Sequence, residues 1–140
     1  MLNFVFALAF VAAAPPQDAS NRELQDLNGD WRLVSVEVDG KKMPAQKTNE
    51  FSLTFKDGKF TSYRGGEKRT GTYKINVNTS PKTMDIVPGD GADKGKKWSL
   101  IYKLEGNTLR ICGSDIDQPR PTGFDTKDRT GIILMVLRHE

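Results

Sequence analysis

From Trp31 onward the chain alternates its apolar and polar residues with a period of two, stretch after stretch, and the stretches are joined mostly by short turns, with one long irregular segment before the last. A period of two is the spacing of a strand with one face buried. "EFSLTF" (50–55) sets Phe51, Leu53 and Phe55 on one face and Ser52 and Thr54 on the other. "FTSYR" (60–64) returns after Asp57-Gly58, a dipeptide that supplies the backbone freedom of a tight hairpin. "GTYKINV" (71–77) aligns Tyr73, Ile75 and Val77, and "TMDIV" (83–87) aligns Met84 with Ile86. "WSLIYKL" (98–104) aligns Trp98, Leu100, Tyr102 and Leu104, and "TLRIC" (108–112) aligns Leu109 with Ile111. "DWRLVSVEVDG" (30–40) is apolar on much of both parities, and "IILMVLR" (132–138) reads as buried on both faces. "RGGEKRT" (64–70) and "PGDGADKGKK" (88–97) read as polar, glycine-rich loops.

Parallel strands need crossovers of roughly a dozen residues or more, usually helical, and the mostly short turns of this chain hold no crossover helix of useful length. Short loops between half-buried strands suit a meander that closes on itself and so removes its exposed edges. The expected fold is therefore all-β: an eight-stranded antiparallel up-and-down barrel with a short N-terminal helix. The helix is expected over "NRELQDL" (21–27), with Asn21 as its cap, Glu23 in its first turn, and Leu24 and Leu27 on one face.

The first 14 residues, "MLNFVFALAFVAAA", contain one polar side chain. They are too short for a bilayer span of about 20 residues but match a signal-peptide core that ends in small residues. Residues 1–14 are thus expected to be a signal peptide, 15–23 a linker and 24–140 a single barrel domain. The protein is expected to be secreted or periplasmic, with no membrane insertion once the signal is removed. The remainder is thin in apolar residues, which favours a small structure around one enclosed apolar layer. Cys112 is the sole cysteine, so no internal disulfide can form. The net charge of +3 comes from dispersed lysines and arginines, whereas nucleic-acid readers concentrate such charge on one face. No nucleic-acid partner is expected.

Reactive constellations are scarce. The only histidine, His139, stands next to the C-terminus, which gives little support to a Cys/His or Ser/His/Asp arrangement. A zinc site normally takes three or four His and Cys ligands. The chain is expected to be no enzyme, with no metal and no cofactor. In "GDGADKGKK" five residues separate Gly89 from Gly95, Lys97 stands where a phosphate loop needs Ser or Thr, and a strand follows, so that motif fails. Asp90 and Asp93 lack the glutamate that would close an EF-hand loop. The remaining candidate is the barrel interior. Phe55, Phe60, Tyr73, Met84, Trp98 and Tyr102, with Phe51, share the inward parity, and apolar walls with a few phenol hydroxyls suit a small hydrophobic ligand. The same residues would equally fill a solid core. Two readings therefore stand: a barrel that binds a small apolar molecule, and a solid interaction or structural module that contacts another exported protein. Cys112 shares the outward parity of Arg110. It is expected to pack as a small apolar residue beneath the irregular segment that follows, near Phe124, with activation by Arg110 as the lesser alternative.

Several ordered blocks resemble a known family. "LNGDWRLVSVEVDGKKMP" (27–44), "GTYKINVNTSPKTMDI" (71–86), "YKLEGNTLRIC" (102–112), "RPTGF" (120–124) and "LMVLR" (134–138) look like the planctomycete-type lipocalin-like domain. Its members are mostly exported proteins of unknown biochemical role, and the resemblance spans about residues 24–138. It implies a lipocalin-like barrel in which Gly29-Asp30-Trp31 matches the GxW at the start of the first strand. It further implies that Arg138 lies over the Trp31 ring at the closed end. The TDY motif of lipocalins has no counterpart around "EGNTLR".

Overall fold

A computed structural model describes residues 16–44, 50–127 and 129–140. The expected signal peptide and the first linker residue lie outside them. Helix α1 (Pro16–Leu27) leads into strands β1 (Gly29–Val38), β2 (Lys41–Pro44), β3 (Phe51–Lys56), β4 (Lys59–Arg64) and β5 (Glu67–Asn76). Strands β6 (Lys82–Pro88), β7 (Trp98–Glu105), β8 (Thr108–Gly113) and β9 (Ile133–His139) follow. Every pairing is antiparallel, neighbours in sequence are neighbours in the sheet except for β2 and β3, which both pair with β1, and β1 pairs with β9 to close the barrel.

Eight strands run around the barrel, because β2 and β3 share one edge of β1. Ser35–Val38 pair with β2, and Gly29–Arg32 pair with β3. β2 is an addition to the expected set. It follows a two-residue turn at Asp39 and Gly40, whose φ values of 53° and 76° let Val38 pair with Lys41. The expected loop at 64–70 is also shorter than its polar composition suggests. Only Gly65 and Gly66 turn, Arg64 pairs with Glu67, and "EKRT" begins β5.

A bulge in β1 resolves the mixed parity of "DWRLVSVEV". Leu33 faces Leu137 and Ser35 faces Val136, so Val34 is the extra residue. Trp31 and Leu33 point inward below it, and Val36 packs against the core above it.

α1 stops up one end. It starts at Pro16, five residues earlier than expected, so Asn21 lies inside the helix rather than at its cap and most of the expected linker is helical. A proline's fixed φ suits the first helical turn, and Asp18 places a negative charge there. Leu27 is fully buried and Leu24 packs against the core. The Asn28 side chain and Asp57 exchange two hydrogen bonds of 2.9 Å, and Lys82 Nζ donates to Glu23 at 2.9 Å, so the helix end is tied to the β3–β4 turn and to β6.

Candidate functional site

The barrel is filled at the α1 end and hollow at the other. In the filled half Trp31, Phe55, Met84, Tyr102, Leu109 and Leu137 are each at most 1% exposed, and the Phe55 and Tyr73 rings lie 4.6 Å apart. Each such aliphatic or aromatic side chain contributes about 1.5–3 kcal/mol through burial. In the open half a pocket of about 290 Å³ remains between the walls. Phe51 and Leu53 of β3, Phe60 of β4, Ile86 of β6, Trp98 of β7, Ile111 of β8 and Met135 of β9 form its apolar lining. The mouth is polar. Ser62, Arg64 and Arg69 reach it from β4 and β5, Asp93 from the β6–β7 loop, and Asp115 and Ile116 from the segment after β8. A recess of about 240 Å³ continues the pocket between Phe51, Arg64, Glu67, Arg69 and Trp98.

Two glycines shape the inner wall. Gly71 lies opposite Phe60, whose ring sits where a Cβ would be, and Gly113 lies opposite Leu100 in the same way. Trp98 is steered to the rim by its indole N–H, which donates to the Ser114 carbonyl at 2.5 Å.

Of the residues expected to meet a ligand, Phe60 and Trp98 reach the pocket, as does Phe51. Phe55, Tyr73, Met84 and Tyr102 face inward as expected but do not line it; they belong to the filled half. Parity reports which face a residue takes and not its depth along the barrel. Phe55 pairs with Gly29, and Tyr102 with Lys82, at the helix end. Burial pushes the Tyr73 and Tyr102 hydroxyls above the ordinary phenol range, and the nearby Glu23 carboxylate adds to the effect at Tyr102. Ser62, Arg64 and Arg69 escaped sequence reasoning, although Ser62 and Arg64 share the parity of Phe60 and the register across Gly65-Gly66 brings Arg69 opposite Ser62.

The closed end follows the GxW expectation in part. Trp31 is 1% exposed, and its indole N–H donates to the Leu27 carbonyl at 2.8 Å. Arg138, expected over the indole, is exposed on the outer face opposite Arg32 and Thr108. The register sets Trp31 against His139 instead, and the imidazole meets the indole edge-on at 4.8 Å and 87°. His139 Nε2 also lies 3.2 Å from the Asn28 carbonyl. Gly29 is needed here on two counts: its φ is 122°, and a Cβ would stand 2.5 Å from His139 Nε2.

Residues 114–127 form a strap across the outer wall. Arg120 donates to the Leu100 carbonyl at 2.6 Å, to the Met84 carbonyl at 3.4 Å and to Asp85 at 2.5 Å, which clamps the strap onto β6 and β7. Thr126, fully buried, donates to Glu37 at 2.7 Å and accepts from the Gly40 N–H at 3.0 Å. Cys112 lies beneath the strap, fully buried, with Sγ 3.7 Å from the Gly123 carbonyl. Its thiol is pushed up to about 11, chiefly by burial and further by Glu37, against a lowering from Arg129. Burial thus favours the neutral thiol, which packs beneath the strap as a small apolar group.

Among the described residues no three His, Cys, Asp or Glu side chains gather where they could hold a metal, and no helix is long and apolar enough to cross a membrane. Among solved structures, the crystal structure of an uncharacterized protein from Bacteroides eggerthii shares the fold, with a TM-score of 0.54 at 16% identity over 82% of this chain and 100% of that one. No curated protein matches the chain. The model of the lipocalin-like domain family matches residues 27–111, from the end of α1 into β8, and the resembling blocks at 120–124 and 134–138 lie beyond that match. The match is to the lipocalin-like domain at large rather than to its planctomycete-type branch. With the GxW tryptophan at the closed end and the barrel closed by β1 and β9, this chain belongs to the lipocalin-like domain family.

Proposed function

We propose that the protein is an exported, non-enzymatic binding protein that holds one compact apolar molecule in the open half of its barrel. The hollow open half carries this reading. Its volume of about 290 Å³ is near the lower limit of ligand pockets, roughly 300–1,000 Å³. At about 30 Å³ per water-sized group, it has room for about ten non-hydrogen atoms. Apolar walls from six strands supply the driving force, and the polar mouth supplies orientation. The absence of an enzymatic role is supported by where the two most reactive side chains are placed. Cys112 lies outside the barrel wall under the strap and His139 at the closed end, and neither lines the pocket. Export is supported by the apolar run of residues 1–14 with its small residues at the end. A solid interaction module would have no use for an unfilled half, so the pocket favours the ligand reading over that alternative.

Ser62→Trp tests the pocket directly. Ser62 is half-buried on β4 and faces the cavity, so an indole there would fill it from the mouth without disturbing the filled half. Calorimetric titration with compact apolar alcohols is expected to show binding to the wild type and at least a tenfold loss in Ser62→Trp, with circular dichroism unchanged. Equal binding by the two proteins, or none by the wild type, would overturn the reading.

A further inference from the structure

We infer that the ligand carries a carboxylate, received by Arg69 and Arg64 on the β4–β5 side of the mouth in exchange for Asp93. The inference rests on the pocket being a ligand site. On β4 and β5 the inward residues form three tiers: Phe60 opposite Gly71, then Ser62 opposite Arg69, then Arg64 opposite Glu67 at the rim. Two guanidinium groups therefore stand directly above the apolar lining.

Both have donors to spare, since a guanidinium carries five N–H donors. Arg69 lies 3.5 Å from Glu67 and 3.8 Å from Asp93, each well beyond the roughly 2.7–2.9 Å of a formed charge-assisted hydrogen bond. Arg64 has no carboxylate within 4.0 Å among the described residues and rests over the Phe51 ring at 5.7 Å. Asp93 has a second partner, Lys96 at 3.6 Å, so it can release Arg69 without being left unpaired.

The mouth also holds acidic groups, and their placement decides the sign of the ligand. Glu67 and Asp93 already face Arg69 and Lys96. Asp115 follows β8, which stands across the eight-strand barrel from β4, so it borders the far side of the mouth. An anionic head is thereby directed to the β4–β5 wall, with the tail running down between Phe60, Trp98 and Ile111.

Probes of one chain length separate the head group from the pocket. Octanoate, 1-octanol and octylamine share an eight-carbon chain, and octanoate has about the ten non-hydrogen atoms the pocket can hold. Calorimetric titration of the full chain is expected to rank octanoate first. Arg69→Gln should reduce the octanoate-over-octanol preference about fivefold, the scale of one partly exposed ion pair, and Arg64→Gln should reduce it less. Asp93→Asn should increase that preference. Octanol or octylamine binding as tightly as octanoate, or a preference indifferent to Arg69→Gln, would overturn the carboxylate assignment and leave the apolar pocket standing. Failure of all three probes to bind would overturn the pocket reading as well.

Discussion

Trp31→Ala is expected to lower the stability of the folded barrel by about 3–5 kcal/mol, the range for truncating a buried tryptophan to alanine. The indole is 1% exposed and lies where three separate elements converge. α1 supplies the Leu27 carbonyl that its N–H reaches at 2.8 Å, β9 supplies His139 at 4.8 Å, and β3 supplies Leu53 as its register partner. Alanine would leave a cavity beneath the helix and remove the hydrogen bond that ties the helix end to β1. Set against a total stability of roughly 5–15 kcal/mol for a domain, such a loss brings the protein to the edge of unfolding at 25 °C. Urea denaturation followed by circular dichroism should show the midpoint fall steeply with an unchanged slope. Trp31→Phe keeps most of the ring area and loses the N–H, so it should cost less, about 1–2 kcal/mol. A loss below about 1 kcal/mol in Trp31→Ala would mean that the closed end is not sealed by this residue.

Gly71→Ala is the second large effect, and it acts on the inner wall of the open half. A Cβ at Gly71 would stand 2.3 Å from the Val87 carbonyl oxygen and 2.5 Å from Phe60 Cε1. The ring of Phe60 can turn, but the carbonyl belongs to the β5–β6 ladder, so the backbone has to move where Gly71 pairs with Pro88. Overpacking of this kind costs about 1–3 kcal/mol, and the backbone contact puts Gly71→Ala at the upper end. Gly123→Ala is the matched control: nothing lies within 4 Å of a Cβ there, and the change should stay within about 0.5 kcal/mol. Equal midpoints for the two variants would show that the wall is not packed as described.

Much of the barrel was legible because alternation survives without knowledge of contacts. Most of the eight barrel strands, the inward set from Phe51 to Tyr102, and Cys112 on the outer parity follow from period two, whereas β1 and β9 were marked by their apolar runs. Reading stopped where polar residues occupy strand positions. "EKRT" sits at the solvent-facing rim, so nothing apolar marks it, although the Gly65-Gly66 turn fixes its register. "KKMP" has no alternation either, yet Asp39-Gly40 carries the same hairpin signal as Asp57-Gly58. At the closed end, period two alone would have chosen correctly. If Trp31 and Leu137 face inward, so does His139, and Arg138 cannot. The family pattern of a terminal arginine pointed to the neighbouring residue instead.

Depth was the other missing quantity. Tyr102 and Trp98 share a face of β7, but one lies opposite Lys82 near the helix and the other opposite Ile86 near the mouth, a difference set by pairing partners. The same limit hid Arg120, whose contact with two carbonyls of adjacent strands exists only once the strap is folded over the wall.

The division into a sealed half and a ligand-holding half is tested most directly by methyl-resolved NMR titrations with octanoate and with 1-octanol. Ile86, Ile111 and Met135 line the pocket, whereas Leu109, Leu137 and Met84 lie in the filled half. The methyl signals of the first three are expected to shift in a saturable way while those of the second three stay in place. Shifts confined to the second set, or no saturable shift at any pocket methyl, would contradict the account.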